Sequence, residues 1–261
     1  MAVLTIDKLT KSFGGLTAVS DVNAVIEKGE LVGIIGPNGA GKTTIFNLIT
    51  GVYAPTAGTI TLQSDHGTVS LGGKKPYHVT KLGLARTFQN IRLYKEMTAL
   101  DNIRVAMHQG IGYSFPSAVT HMGSYSREEK RLLDEAEDLL DIFHMGDKKQ
   151  ELAKNLPYGE QRHLEIIRAM ATKPKLLLLD EPAAGMNPIE TRNLTEIIAK
   201  IRKDFDLTVI LIEHDMSLVM KICERIYVLN YGKVLAEGPP DVVKRDKRVI
   251  EAYLGEDKSD A

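Results

Sequence analysis

Tryptophan is absent and cysteine occurs once, as Cys223. A single thiol cannot close an intramolecular disulfide, so the fold must rest on burial and hydrogen bonding, and such usage suits a reducing compartment. Cys223 itself reads as a small buried hydrophobe on an apolar helix face. Neither sign of charge is in excess: 33 Lys and Arg stand against 34 Asp and Glu, a formal net charge of -1. That balance offers no electrostatic reason to expect nucleic acid as a partner, and it favours neither acidic surfaces nor anionic membranes. No apolar run approaches the roughly 20 residues that cross a bilayer. The N-terminus turns charged at Asp7 and Lys8, unlike a secretory signal. The expectation is a protein with no span of its own that reaches a membrane only through a partner.

What is present is a chain of 261 residues, 43% of them hydrophobic, enough for one large domain or one domain with an insertion. Its organising stretch is Gly36-Pro37-Asn38-Gly39-Ala40-Gly41-Lys42-Thr43-Thr44. This fits the phosphate-loop pattern of a glycine, four residues, then Gly-Lys-Thr. Leu31-Val32-Gly33-Ile34-Ile35 before it reads as a buried strand, and Thr44 to Ile49 after it as a helix. Glycines let successive N–H groups curl toward one anion, and the helix N-terminus adds its unpaired N–H groups. Lys42 is expected to reach the β- and γ-phosphates and Thr43 to offer its hydroxyl to Mg²⁺.

Around this loop the chain reads as follows. Residues 3–6 and 22–27 are expected as short strands joined by a turn at Gly14-Gly15. Phe13, just before those glycines, is either a core residue or an exposed aromatic able to stack on a purine. Gly51 should cap the first helix, and Thr59 to Leu62 should form a hairpin strand. Residues 63–76 read as loop, and Leu84 to Gln89 as a strand with Gln89 at its end. From Asn90 to about Asn155 the pattern is helical, with Leu132, Ala136, Leu139, Leu140 and Phe143 at helical spacing and a loop over 108–126. Leu156 to Arg162 is expected as a loop with Gly159 feeding a helix, either a second anion site or an ordinary helix start.

Leu176-Leu177-Leu178-Leu179 has the apolar character of a central parallel strand and runs into Asp180-Glu181-Pro182. Two adjacent carboxylates there point to opposite sides of the strand. One can hold Mg²⁺ and the other can activate water. Asn187-Pro188-Ile189-Glu190 carries a helix cap, proline at the first helical position and glutamate at the third. Thr208 to Ile212 is a further buried strand, leading to Glu213-His214-Asp215. Ligands gather at such strand ends in open α/β sheets. Residues 226–229 and 233–237 read as a terminal hairpin. Val249 to Leu254 reads as a helix before a charged tail.

The ordered set GPNGAGKTT, Gln89, LPYGEQR at 156–162, LLLLDEP at 176–182 and His214 resembles the nucleotide-binding subunits of ATP-binding-cassette transporters over essentially the whole chain. LPYGEQRHLEI, AAGMNP, IEHDM and EAYLGE are similar to the narrower group that serves branched-chain amino acid importers. The resemblance implies an α/β P-loop NTPase core with an antiparallel β subdomain and an inserted α-helical subdomain. It places the core at residues 1–89 and 172–261 and the helical part, with its signature loop, at 90–171. It implies that ATP and Mg²⁺ are bound by Phe13 stacking on adenine, by Gly36, Pro37, Asn38, Gly39, Ala40, Gly41, Lys42, Thr43 and Thr44 around phosphate, and by Tyr158 and Gly159 of the signature loop. It assigns Mg²⁺ to Thr43, Gln89 and Asp180, the base to Glu181 and a γ-phosphate contact to His214.

The partners so implied are a second such subunit, head to tail, two membrane permease subunits met by residues 90–125 and, indirectly, a solute-binding protein. The place is the cytoplasmic face of the membrane, with no nucleic acid bound. Two departures stand out. Pro157 and Tyr158 occupy positions where relatives carry Ser and Gly, and Asn187 stands where many carry Asp. Rival readings are the same motor for urea or amides, a soluble cassette ATPase without a permease, and a non-hydrolysing nucleotide sensor.

Overall fold

The computed structural model describes residues 1–65, 67–108 and 124–254. Its centre is a six-stranded sheet ordered β10-β9-β3-β8-β7-β6, made of β3 (Leu31–Ile35), β6 (Leu84–Arg86), β7 (Leu176–Asp180), β8 (Thr208–Ile212), β9 (Arg225–Asn230) and β10 (Lys233–Gly238). All its pairings are parallel except the β9–β10 hairpin. Every residue of β3, β7 and β8 is buried, which is why these strands read as unbroken apolar runs.

The side-chain period of two divides each strand between two cores. Val32, Ile34, Leu176, Leu178, Ile210 and Ile212 pack on one face with α1 (Lys42–Ile49) and a second sheet. Leu31, Ile35, Leu177, Leu179, Val209 and Leu211 pack on the other, with α3 (Ala99–Met107), α4 (Ser124–Ile142), α5 (Tyr158–Met170), α6 (Pro188–Asp204) and α7 (Met216–Ile222). Leu194, Ile197, Ile198 and Ile201 turn inward from α6, as the spacing predicts. Asn187 caps that helix reciprocally with Glu190. Cys223 is buried, and its thiol is pushed up to about 12 by desolvation, in keeping with an inert packing role.

The second sheet is antiparallel, order β2-β1-β4-β5, from β1 (Ala2–Phe13), β2 (Leu16–Glu27), β4 (Ala57–Ser64) and β5 (Gly67–Ser70). Several expectations need correction here. The strands anticipated at 3–6 and 22–27 are portions of two 12-residue strands. Bulges interrupt their pairing and break the alternation that marks a strand in sequence. Part of the expected loop 63–76 is β5, with α2 (Pro76–Lys81) starting at its end. β6 stops at Arg86, so Gln89 lies three residues beyond the strand.

Tyr158 and Gly159 are the first residues of α5 rather than loop, because Pro157 suits the N-cap of a helix whose N–H groups there lack partners anyway. Residues 124–126, expected as loop, begin α4. The rest of the expected loop from 109 and the charged tail from 255 lie outside the described residues. The chain closes with α8 (Pro240–Val243) and α9 (Lys247–Leu254). No helix among the described residues is long and apolar enough to cross a membrane.

Candidate functional site

The parallel register brings four loops to one edge of the sheet. Ile34 pairs with Ile212 and Ile212 with Asp180, so β3, β7 and β8 end level. The segments that follow enclose a cavity of about 290 Å³ lined by Ala18, Asn38 to Thr44, Gln89, Glu181 and His214. The phosphate loop, Gln89, Glu181 and His214 thus meet in one place.

The loop has the geometry of an anion cradle. Gly36 and Gly41 have φ of 148° and 102°. A Cβ on Gly36 would stand 2.1 Å from the Leu229 carbonyl oxygen, and one on Gly41 would stand 2.7 Å from that of Ala18. Both glycines are therefore required by close backbone approach as well as by conformation. Lys42 opens α1, and its Nζ donates to the carbonyl oxygens of Gly36 (2.6 Å) and Pro37 (2.9 Å). The ammonium holds the loop curled over the helix N-terminus while Thr43 stays exposed to the cavity.

Opposite the loop stands Glu181. Its Oε2 accepts from Gln89 Nε2 at 2.8 Å and its Oε1 lies 2.8 Å from His214 Nε2. The Glu181 N–H continues the ladder to the Ile212 carbonyl oxygen, yet φ is +48°, a conformation costly for a residue with a Cβ and concentrated at functional sites. Glu213, buried behind, accepts from the N–H groups of Ala183 (2.7 Å) and His214 (3.1 Å), tying the segment after Glu181 to the one carrying His214. Burial pushes its carboxyl above the usual range, against the lowering effect of those N–H groups.

Asp180 does not line the cavity. It is buried at the end of β7, where its Oδ2 receives Arg86 Nη2 at 2.6 Å. Arg86 also donates to Asn47 Oδ1 (2.7 Å) and Thr50 Oγ1 (3.3 Å) of the α1 end, with Phe46 and Phe88 rings near its guanidinium. Phe13 proves to be a surface aromatic, 42% exposed, set edge-on to Tyr53 at 5.1 Å with Lys11 above both. It too lies outside the lining of the phosphate cavity.

Tyr158 and Gly159 are likewise not part of that cavity. The Tyr158 ring rests on Gly185, where an added Cβ would meet it at 3.1 Å, and a Cβ on Gly159 would crowd Glu190 Oε1 at 3.1 Å. No group of three or more His, Cys, Asp or Glu among the described residues could hold a metal alone. Thr43 and Gln89 bring hard oxygens to the cavity, of the kind Mg²⁺ takes beside phosphate and water, whereas Asp180, expected as a further ligand, is held by Arg86 outside it.

Residues 19–184 match the family model described as ABC transporter. The chain belongs to the ABC transporter family. Residues 233–259 match a second model, the branched-chain amino acid ATP-binding cassette transporter. The "High-affinity branched-chain amino acid transport ATP-binding protein LivG" of Escherichia coli (strain K12) is 46% identical over 97% of this chain and 98% of its own length. The BraF protein of Pseudomonas aeruginosa, similarly described, is 44% identical over the same shares. A crystal structure of an ATP-binding cassette of an ABC transporter in its ADP conformation superposes with a TM-score of 0.83 at 29% identity, covering 98% of this chain and 99% of that one.

Within this ABC cassette, Arg86 and Glu213 are the site residues that motif reading passed over. Arg86 sits in an apolar strand three residues before the glutamine, and Glu213 directly precedes the histidine. A charge within a strand bound for a core, or directly after one, is the signal that points to each. His163 on α5, outside the phosphate cavity, is another titratable group that the motifs did not mark. Its ring meets Phe143 edge-on at 5.9 Å and Nε2 is buried without a partner. Burial lowers its pKa from the ordinary 6.5, opposed by Glu190 and reinforced by His144.

A depressed folded value favours the neutral ring in the fold. Its stability contribution is present above 6.5 and lost as pH falls through the folded value. His163→Gln is therefore expected to shrink the drop in melting temperature between about pH 7.5 and pH 5.5. The carboxyls of Glu165 and Glu213, both pushed up by burial, act in the opposite sense in both proteins. The comparison is thus between wild type and variant, and equal drops would exclude His163 as the group responsible.

Proposed function

We propose that this chain is the ATP-hydrolysing subunit of an importer for branched-chain amino acids, docked on the cytoplasmic face of the membrane. The observation that carries the chemistry is Glu181, held by Gln89 and His214 across a cavity from the phosphate loop. The names of the 46% and 44% identical relatives support the transported solute.

In this reading Gly36 to Thr44 wrap the triphosphate with main-chain N–H groups, and Lys42 turns from Gly36 and Pro37 to the β- and γ-phosphates. Thr43, Gln89 and Asp180 would hold Mg²⁺, which supplies charge neutralisation at the phosphates. For that task Asp180 would have to turn from Arg86, which holds its Oδ2 outside the cavity. Glu181 takes the proton of the attacking water, and His214 orients Glu181 and contacts the γ-phosphate. Phe13 stacks on adenine.

Tyr158 and Gly159 complete the site in trans, on the nucleotide of a second, identical or homologous subunit. Their separation from the chain's own phosphate cavity supports a head-to-tail pair. Residues 90–171 act as a helical unit beside the core formed by residues 1–89 and 172–261. The groove lined by Phe88, Arg92, Leu93, Tyr94 and Val105 is the surface offered to the permease subunits, which in turn meet the solute-binding protein.

Leucine uptake by vesicles carrying the complete transporter tests the proposal. Deleting this chain is expected to abolish uptake, and cysteines placed at Leu93 or Tyr94 should crosslink to a membrane subunit. Uptake of urea or amides with no leucine uptake would reassign the solute. Salt-sensitive nucleic-acid binding with no crosslink to a membrane subunit would instead favour a soluble cassette ATPase.

A further inference from the structure

Gln89 is fixed to the rest of the protein by α5, the helix that begins with Tyr158 and Gly159. Arg162 donates through Nη1 to the Phe88 carbonyl oxygen at 2.8 Å and through Nη2 to that of Gln89. Glu165, one turn further, accepts at Oε1 from the N–H groups of Phe88 (3.2 Å) and Arg92 (3.4 Å). The two side chains are 3% and 6% exposed and pair with each other at 3.2 Å. Arg168, another turn on, donates to the Arg92 carbonyl oxygen. Four backbone groups flanking and including Gln89 are thus satisfied by a buried ion pair on one side of one helix. At the other end the Tyr158 ring lies 5.5 Å from the Arg162 guanidinium.

A buried ion pair is a poor means of adding stability, since desolvation offsets most of its attraction. A guanidinium fork bonded to two successive carbonyl oxygens is a good means of fixing direction. We propose that Arg162 and Glu165 are positioning residues that bind Gln89 to the signature helix, so that movement of Tyr158 and Gly159 against a partner's nucleotide moves Gln89 relative to Glu181. The Gln89 Nε2 contact with Glu181 Oε2, 2.8 Å long, is the end of this linkage. The proposal rests on the reading above, in which Gln89 and Glu181 serve hydrolysis.

The test is a double-mutant cycle on ATPase turnover, with the full-length chain in its assembled transporter. Glu165→Gln removes the carboxylate charge and leaves the buried Arg162 guanidinium without its counter-ion. Arg162→Lys keeps both charges and removes the fork, a milder change should the first variant fold poorly. Each is expected to lower kcat by about tenfold or more, as small misplacements near reacting groups do, with the KM for ATP within about twofold of wild type. In a Gln89→Ala background each should cost less than about twofold further, because the residue they act through is gone. Hydrogen exchange at the Phe88 and Arg92 amides should speed up in Glu165→Gln. Wild-type kcat, an equal loss in both backgrounds, or a parallel loss of nucleotide affinity overturns the proposal. Wild-type turnover in Gln89→Ala alone removes the reading of Gln89 itself, and the linkage with it.

Discussion

Glu181→Gln is expected to slow ATP turnover by about 10³-fold while leaving nucleotide binding within a few-fold of wild type. The carboxylate stands at the carboxyl end of β7, between Gln89 and His214, facing the phosphate loop. Glutamine has the same shape and can still accept one hydrogen bond, so the pocket should keep its form. It cannot take a proton from water. The variant should therefore hold ATP with the γ-phosphate intact and accumulate as the closed pair of subunits, visible as a nucleotide-dependent dimer on a sizing column. Turnover like that of wild type would remove Glu181 from the role of base. Loss of binding would instead show that the positive-φ segment at Glu181 had lost its shape.

Lys42→Ala should weaken ATP binding by about 100-fold or more, from the loss of charge-assisted contacts each worth about 1.5–3 kcal/mol. The structure adds a second reason. Lys42 Nζ is bonded to the carbonyl oxygens of Gly36 and Pro37, so the ammonium braces the same loop whose N–H groups form the cradle. Alanine removes both the charge and the brace. Equilibrium titration with a fluorescent ATP analogue, beside a thermal melt to show that the chain is folded, measures the effect. Unchanged affinity would discredit the phosphate loop as the nucleotide site.

The parallel strands were readable in advance because burial on both faces writes a continuous apolar run, as in Leu176 to Leu179 and Thr208 to Ile212. Among the antiparallel strands, β4 and the β9–β10 hairpin were readable too, while β1 and β2 were read only in part and β5 was read as loop. β1 and β2 carry Lys, Asp and Asn at bulged or exposed positions, so neither periodicity holds for more than a few residues. The start of α5 was misplaced for another reason. Pro157 and Gly159 look like loop residues, but here they cap a helix and make room for Glu190. Phe13, undecided between core and surface in the sequence, is exposed because β1 ends at the edge of the molecule beside Tyr53.

From the order of residues alone came the phosphate loop, the acidic pair at 180–181, His214 and the membership of a transporter family. Local chemistry suffices for these, since an anion cradle needs glycine, lysine and a helix start within a few neighbouring positions. The fold alone decided that Asp180 turns from the cavity to Arg86, 94 residues away, and that Glu181 is shared between Gln89 and His214. It also decided that Arg162 and Glu165 reach back more than 70 residues to grip Gln89. Such pairings depend on which strand lies beside which and on the direction each side chain takes on leaving it, and neither is written in nearest neighbours along the chain.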